Sequence, residues 1–394
     1  MKIAKVETIR LPGNRDGAPQ APADSRERKL LWVRIHTSDG HVGLGETFYG
    51  PVTVEAAVHE QFAPILIGRD PSQIDRHWYN MFRINDHFGY GGAETRAISA
   101  IDTALWDIAG QTLGRPVYDL LGGACRDRIR AYDTAAGGAF VADPAAYARE
   151  SSARGISATK LGVFPQQHAG DGYDITPAQV EALITPARLV AEALGDRMQI
   201  AVDGHGFWSV HAAGLIARAL EGYPILWLEE IASPRNVDAA LKLRERTKLP
   251  ICLAERFVTR YQFREYIERG AMDIAMPDLV WTGGISETHK ISSYAETYQM
   301  PVCPHDCTGP VNAFACAHIC MNAPNAMLME TSRAFYDEWY PSLVTTNISV
   351  VDGFLLAPTG PGLGTQLRPE VLARPDAVIR ESTETAGHPM GWLH

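Results

Sequence analysis

The chain contains 394 residues, which exceeds one ordinary domain and suits a barrel of ~250 residues with a smaller companion. Its formal net charge is −10 without a basic tract, so neither nucleic acid nor a membrane surface is an expected partner. No apolar run reaches the ~18 residues of a membrane span, and the start alternates like a strand, unlike a signal peptide. The six cysteines are scattered, which indicates reduced thiols. We therefore expect a cytoplasmic protein of two domains.

The first part of the chain combines two kinds of pattern. Residues 2–11 and 29–47 alternate apolar and polar side chains as antiparallel strands do, and Ser38-Asp39-Gly40 has the composition of a hairpin turn. Residues 13–26 between them are polar and rich in Gly, Pro and Ala, which predicts a loop. Residues 52–125 include runs with apolar side chains at helical spacing. A small α+β domain over residues 1–125 is predicted.

From about residue 126, short β-prone runs alternate with helical segments. This alternation predicts parallel strands joined by helices, and a long series of similar units favours closure into a barrel. We expect the barrel to span residues 126–350, and residues 351–394 to return to the first domain. The gap from Lys160 to Asp203 is 43 residues, longer than one unit, and residues 163–179, rich in Gly, Asp and Gln, occupy the excess. They predict a loop inserted at the barrel rim, where substrates enter such barrels.

Three carboxylates follow one another at equal intervals. Asp203, Glu229 and Glu255 each close a short apolar run, and successive members are 26 residues apart. One strand, one helix and their connections occupy roughly this length, so three consecutive strands would each deliver a carboxylate to one rim. Any one of them alone is more often a helix cap or an ion-pair partner. Together they predict a site for a hard divalent cation.

The same rhythm continues on both sides of these carboxylates. Lys160, Asp278, His305 and Glu330 also stand at the ends of β-prone runs, which extends the set to seven consecutive strands. Asp278 and His305 would lie on neighbouring strands, close enough for the carboxylate to hold the imidazole as a general base. The alternative is that Asp278 and His305 form a buried pair with a purely structural role.

His205 follows Asp203 by two residues, so both side chains would point the same way if the strand extends that far. The alternative is that His205 is a loop histidine whose hydrogen bonds go to the backbone. Cys303, His305 and Cys307 suggest zinc, but a fourth ligand at sensible spacing is missing, and we reject that interpretation. Cys316 and Cys320, four residues apart on a helical pattern, indicate core packing.

Several motifs occur in one fixed order along the chain. They are residues 97–123 (AISAIDTALWDIAGQTLGRPVYDLLGG), LWLEE, LAERF, MPDLVWTGGI and PTGPGLG. The chain thereby resembles the mandelate racemase subgroup of the enolase superfamily. This resemblance implies an α/β fold, a modified (β/α)₇β TIM-type barrel with an α+β capping domain. It also implies Mg²⁺ held by Asp203, Glu229 and Glu255, with Glu230 outside the set of direct ligands.

Two positions distinguish this chain within the subgroup. The Asp-x-His tract at Asp203 and His205 is similar to acid sugar dehydratases such as galactonate dehydratase. Racemases and many relatives carry Lys-x-Lys on the second strand, where this chain has Lys160-Leu161-Gly162. The resemblance therefore implies a single base and a dehydration of a small-molecule sugar acid to its 2-keto-3-deoxy product.

In that interpretation, each site residue receives a role. His305 removes the C2 proton, Asp278 holds His305, and His205 protonates the departing 3-hydroxyl. Lys160 adds positive charge at the developing oxyanion, while Glu330 either donates a hydrogen bond if protonated or orients its neighbours. An epimerase or cycloisomerase using the same enediolate is the alternative reaction, and a non-catalytic scaffold is the alternative class.

Substrate contacts and assembly are the least determined features. Two stretches of the capping domain, residues 13–26 and 85–92, are expected to close over the distal end of the sugar acid. Asn85, His87 and Tyr90 could hydrogen-bond its hydroxyl groups or could be surface residues. Arg256 could contact the substrate or neutralise the acidic cluster. The resemblance also implies a homo-oligomer.

Overall fold

The computed structural model describes residues 1–11, 29–87, 89–135, 140, 142–163 and 171–383. The predicted loop at 13–26 and residues 164–170 of the predicted insertion lie outside this part of the chain. The strands are β1 (Ile3–Arg10), β2 (Leu30–Thr37), β3 (Val42–Phe48), β4 (Arg128–Thr134), β5 (Ala158–Gly162), β6 (Gln199–Asp203), β7 (Ile225–Glu229), β8 (Ile251–Leu253), β9 (Ile274–Ala275), β10 (Met329–Thr331), β11 (Val350–Val351), β12 (Phe354–Leu356) and β13 (Val378–Ser382).

The helices lie between these strands and over the capping sheet. The α-helices are α1 (Pro51–Ala56), α2 (Ala63–Leu66), α3 (Ile74–Asp86), α4 (Ala93–Leu113), α5 (Val117–Leu120), α6 (Pro144–Ala153), α7 (Pro177–Leu194), α8 (Val210–Leu220), α9 (Val237–Arg244), α10 (Thr259–Glu268), α11 (Leu279–Thr282), α12 (Gly284–Thr297), α13 (Pro310–Asn322) and α14 (Pro369–Leu372). Short π-helices occupy Ala57–Phe62 and Phe335–Trp339, and 3₁₀ turns occupy Gly195–Arg197 and Tyr340–Ser342. In the described part of the chain, none of these helices combines the length and the apolar character that crossing a membrane requires.

The capping domain is an antiparallel sheet covered by helices. Its strand order is β13-β1-β2-β3, so the last described strand pairs with the first. The predicted hairpin is confirmed: β2 and β3 pair through the turn at Ser38–Gly40, where Gly40 adopts a φ of 94°. A Cβ on Gly45 would stand 1.8 Å from the carbonyl oxygen of Ala100, so glycine is what lets helix α4 lie directly on the sheet.

The predicted barrel is confirmed. Strands β4 to β9 form a parallel ladder in chain order, and β10 pairs with β4 to close the ring. Between β9 and β10, Val302 makes parallel bridges to Ala275 and Ala326 and so takes the place of the seventh strand. The interior holds a small apolar cluster that includes Tyr132, Trp227 and Cys303. The predicted division after residues 125 and 350 stays a prediction; in the segment after 350, β12 pairs antiparallel with β4 of the barrel.

Buried polar contacts join the capping domain to the barrel. Asp102 of α4 accepts hydrogen bonds from the backbone N–H of Ser286 (2.9 Å) and from its hydroxyl (2.6 Å). Trp78 of α3 donates to the carbonyl oxygen of Gly283 (2.8 Å), and Thr47 of β3 donates to that of Val280 (3.1 Å). These bonds fix the capping sheet against α11 and α12, next to the rim of the barrel.

The carboxylate of Asp102 should make stability depend on pH. Burial raises its pKa to about 7, whereas an unfolded chain releases the proton at about pH 4. Between these values the unfolded state binds fewer protons, so the free energy of unfolding falls as pH rises. Asparagine does not titrate, so the stability advantage of wild type over Asp102→Asn should shrink between about pH 4 and about pH 7. Urea unfolding across this range measures the difference. The exposed Asp86→Asn controls for the substitution, and an advantage of Asp102 that grows with pH would contradict the expectation.

Candidate active site

The three equally spaced carboxylates lie on consecutive strands at one rim of the barrel. Asp203 and Glu229 are the last residues of β6 and β7 and face each other in the strand register. Glu255 follows β8 by two residues. Their side chains are 4%, 0% and 3% exposed, respectively, so three carboxylates are withdrawn from water at this rim. The predicted rhythm therefore corresponds to successive βα units.

Lys160 bridges one of these carboxylates, Glu229, to a fourth carboxylate, Glu330. It stands in β5, and its Nζ lies 2.6 Å from an oxygen of Glu229 and 2.6 Å from an oxygen of Glu330 of β10. Burial alone would lower the pKa of Lys160, but the charges of these two carboxylates outweigh burial and raise it well above its usual value. Lys160 is therefore a permanent cation in the barrel mouth.

Glu330 is an ionised acceptor and not a donor. It accepts hydrogen bonds from the hydroxyl of Thr134 and, at 2.8 Å, from the backbone N–H of Asp306, in addition to its contact with Lys160. Burial raises its pKa, but Lys160 and these donors outweigh burial and hold the pKa at about 2. Of the two roles considered for Glu330, the structure favours orientation of its neighbours.

The Asp278–His305 pair forms in the structure. The Nδ1 of His305 lies 2.6 Å from Oδ2 of Asp278, whose other oxygen accepts the backbone N–H of Val280 at 2.8 Å and so caps helix α11. With Nδ1–H donated to Asp278, the lone pair of Nε2 faces away from that carboxylate. Nε2 lies 3.5 Å from Oε2 of Glu255 and 3.5 Å from Sγ of Cys307. The imidazole therefore points its free nitrogen into the carboxylate cluster.

His205 contacts Asp203, but strand alternation is not the reason. Strand β6 ends at Asp203, and His205 adopts a left-handed backbone with a φ of 48°. This turn brings its backbone N–H within 2.8 Å of one Asp203 oxygen and its Nδ1 within 2.8 Å of the other. Burial lowers the pKa of His205, but Asp203 outweighs burial and raises it. The side chain is 42% exposed, so His205 forms the outer edge of the site.

Glu230 and Arg256 surround the outer side of the cluster. Arg256 lies 3.3 Å from Glu230, lies 3.2 Å from Glu255, and donates a 2.6 Å hydrogen bond to the carbonyl oxygen of His205. Glu230 is fully buried, and burial together with the charge of Glu255 raises its pKa well above its usual value. Of the two interpretations of Arg256, these contacts favour neutralisation of the acidic cluster.

The site suits a divalent cation. Burial raises the pKa of Glu229 to about 8, Lys160 opposes this rise, and the neighbouring carboxylates of Asp203, Glu330 and Glu255 add to it. Within the described residues, Oε2 of Glu255 accepts no hydrogen bond although it is buried. Ligand atoms of Glu229, Glu255 and His305 lie within 4.8 Å of one another. The carboxylate oxygens of this group are donors that hard cations prefer, and Asp203, the third predicted ligand, is paired with Glu229 in the strand register but does not belong to the group.

Two side chains contact His305 directly, and a third extends this group into the capping domain. Cys307 contacts Nε2 of His305, and the ring of Trp281 lies 5.4 Å from the imidazole ring. Tyr49 of the capping domain lies 6.0 Å from Trp281, ring to ring. The order His-x-Cys was visible in the sequence, but an aromatic residue in a helix or after a strand carries no signal for a site.

The residues suggested for substrate contact separate into two groups. Asn85 is buried inside the capping domain, where its side-chain N–H donates to Thr95 at 2.9 Å. His87 is exposed. Tyr90 lines a cavity of about 530 Å³ together with Arg256 and Tyr261. Only Tyr90 thus shares a cavity with a residue of the acidic rim.

Comparisons with known proteins agree with this geometry. The family model "Mandelate racemase / muconate lactonizing enzyme, N-terminal domain" matches residues 9–122, and "Enolase C-terminal domain-like" matches residues 143–371. An enolase of the mandelate racemase subgroup from Agrobacterium tumefaciens is 37% identical, with 97% of this chain and 99% of that chain covered and a TM-score of 0.87.

Two further solved structures extend the likeness. An enolase protein from environmental shotgun sequencing of the Sargasso Sea is 40% identical, with 97% and 99% of the two chains covered and a TM-score of 0.88. A candidate dehydratase from Salmonella typhimurium is 29% identical, with 94% and 98% covered and a TM-score of 0.87.

Cation binding should be measurable as stabilisation. Adding Mg²⁺ to chelator-treated protein should raise the melting temperature, because binding to the folded state alone contributes ~2.7 kcal/mol at a hundredfold excess over Kd. Glu255→Gln should lose this response, because it removes one carboxylate of the cluster that would hold the cation. The exposed Glu338→Gln is the matched control and should retain the response. A full Mg²⁺ response in Glu255→Gln would contradict the assignment.

Proposed function

This chain belongs to the mandelate racemase subgroup of the enolase superfamily, and on that premise we propose that it is a Mg²⁺-dependent dehydratase of a sugar acid. The observation that carries the proposal is a pair of histidines in different settings around one carboxylate cluster. His305 is buried and held by Asp278, whereas His205 lies at the exposed edge and is held by Asp203. Dehydration needs one base and one acid, and these two imidazoles supply them.

Mg²⁺ is the proposed cation because its candidate ligands are all carboxylates. Asp203, Glu229 and Glu255 offer only oxygen atoms, which hard cations prefer. When bound, Mg²⁺ would hold the substrate carboxylate and stabilise the negative charge of an enediolate. The residues around this position then determine which proton moves and where it goes.

The first proton transfer falls to His305. Its Nε2 carries the free lone pair and faces the cluster, so it accepts the C2 proton while the C–H electron pair enters the enediolate. Burial lowers the pKa of His305, but the neighbouring side chains of Cys307, Glu330 and Glu255 outweigh burial and raise it well above its usual value. A cation held by Asp203, Glu229 and Glu255 would offset part of this negative charge and so favour the neutral imidazole that a base requires.

The remaining residues assist the elimination. Lys160 is held ionised between Glu229 and Glu330 and adds positive charge where the oxyanion develops. His205, whose pKa Asp203 raises, gives a proton to the 3-hydroxyl, which leaves as water. The resulting enol tautomerises to a 2-keto-3-deoxy acid. Position 162 is glycine, so Lys160 has no companion lysine there to act as a second base.

Localisation and assembly belong to the same proposal. We place the protein in the cytoplasm as a homo-oligomer acting on a small sugar acid. The support is the scattered free cysteines, the acidic net charge of −10, and the subgroup. A panel of aldonic and aldaric acids, with semicarbazide detection of 2-keto products, identifies the substrate. An acid that epimerises without forming a keto product would favour the epimerase alternative.

His305→Asn should abolish exchange of the substrate C2 hydrogen with solvent deuterium. The reason is that asparagine cannot accept the proton, and loss of a general base typically lowers the rate ~10²–10⁴-fold. Exchange is followed by NMR with the acid identified in the panel. His211→Asn, at an exposed position of α8, is the matched control and should exchange at the wild-type rate. Product formation by His305→Asn at the wild-type rate would remove His305 as the base.

His205→Asn should separate the two halves of the reaction. Without the acid, the 3-hydroxyl leaves slowly, so keto product should fall while exchange at C2 continues. The two rates are measured in the same sample by NMR and semicarbazide. If His205→Asn forms keto product as fast as wild type, His205 is not the general acid.

A further inference from the structure

A thiol and an imidazole meet beside the carboxylate cluster. Cys307 follows His305 by two residues, and its Sγ lies 3.5 Å from Nε2 of His305. A carboxylate oxygen of Glu330 belongs to the same group, in which the ligand atoms lie within 4.8 Å of one another. Cys307 is partly exposed, whereas the other two are buried. Nothing in the proposed dehydration uses this thiol.

The distance between sulfur and nitrogen matches a tetrahedral zinc site. Zn–N bonds of ~2.0–2.1 Å and Zn–S bonds of ~2.3 Å at a tetrahedral angle place the two ligand atoms ~3.5 Å apart. Cys307 and His305 already have this separation, at 3.5 Å. The other ring nitrogen of His305 is bound by Asp278, the arrangement that orients a metal-ligating histidine.

Glu330 can complete the set without giving up its present contacts. One of its oxygens is occupied by Lys160 and Thr134, but the other accepts only the backbone N–H of Asp306 among the contacts found. A carboxylate oxygen offers two lone pairs, so one acceptor position remains on that second oxygen. Three protein ligands with a fourth position open to water is the usual form of an accessible zinc site.

We infer that His305, Cys307 and Glu330 form an inhibitory site for Zn²⁺ or another thiophilic divalent cation, separate from the carboxylates assigned to Mg²⁺. Burial raises the pKa of the Cys307 thiol, and His305 partly offsets this, but a coordinated thiol loses its proton to the metal. Affinity for nitrogen and sulfur donors is far greater for Zn²⁺ than for Mg²⁺. The sequence analysis rejected zinc because a fourth ligand near Cys303, His305 and Cys307 was missing; in the structure Cys303 belongs to the barrel interior, and Glu330 joins the other two from another strand.

The regulatory consequence rests on the proposed function. Zn²⁺ would occupy the lone pair of His305 that accepts the C2 proton, so the two events exclude each other. Zn²⁺ should therefore inhibit the enzyme even in excess Mg²⁺, and a chelator selective for Zn²⁺ should restore activity. Cys307→Ser should lose this sensitivity.

Cobalt substitution tests the site without any substrate. Co²⁺ is titrated into wild-type protein saturated with Mg²⁺, and a sulfur-to-cobalt charge-transfer band should grow to one equivalent. Cys307→Ser should lose the band, while Cys125→Ser, whose cysteine is exposed elsewhere, should retain it. Asp278→Asn should bind Zn²⁺ ~10–100-fold more weakly, since it removes the carboxylate that orients His305. No band in wild type, or a full band in Cys307→Ser, would overturn the inference.

A second measurement needs no substitution. Alkylation of the wild-type protein is mapped by mass spectrometry with and without Zn²⁺, and Zn²⁺ should protect Cys307 but not Cys125. Equal labelling of Cys307 in both samples would count against the site. Because neither the cobalt band nor the labelling uses a substrate, both remain valid if no sugar acid is dehydrated, and failure of the zinc site leaves the dehydratase assay unaffected.

Discussion

The site depends on how buried negative charge is balanced at the mouth of the barrel. Lys160 extends from β5 to contact Glu229 and Glu330, each at 2.6 Å, and so joins strands on two sides of the ring. Removing one partner of a buried ion pair costs ~3–5 kcal/mol, because the other charge remains without water. Lys160 thus keeps Glu330 ionised, with a pKa of about 2, but one ammonium group cannot balance the remaining carboxylates.

The excess negative charge explains why histidine and arginine side chains contact the carboxylates around the rim. Asp203 is bound at both oxygens by His205, and Glu255 and Glu230 share Arg256. These partners stabilise part of the negative charge but leave acceptor positions open. The hydrogen bonds of Asp102 and Thr47 hold the capping domain next to the same rim. Neither bond involves a carboxylate of the charged cluster.

Regular features of this architecture could be predicted from the sequence because they repeat. Each βα unit of similar length delivers one strand end, and this is why Asp203 and Glu229 are found where equal spacing predicted them. The hairpin at Ser38–Gly40 follows from local turn chemistry in the same way. His205 departs from the pattern because the strand stops two residues earlier and a left-handed turn replaces it, which periodicity does not reveal.

The unpredicted parts of the site depend on distances that sequence spacing does not encode. Tyr49 meets Trp281 across the two domains, from strands and helices far apart in the chain. The ionised state of Glu330 depends on Lys160 and Thr134, which come from other strands. Cys307 was visible near His305 in the sequence, but its approach to Nε2 is set by the chain path after the two isolated bridges at Val302. Because the seventh strand is irregular, the path of the chain at this point does not follow the βα repeat.

The position of His305 between two kinds of donor has a consequence for metal selectivity. On one side, Glu255 offers a hard oxygen 3.5 Å from Nε2, and on the other, Cys307 offers a soft sulfur at the same 3.5 Å. A hard cation binds the carboxylates and leaves the imidazole free, whereas a soft cation competes for the imidazole itself. Under the proposed function, selectivity for Mg²⁺ would depend on keeping thiophilic ions from His305 as well as on the carboxylate ligands. A residue at 307 without sulfur would remove that competition while leaving the Asp278–His305 contact in place.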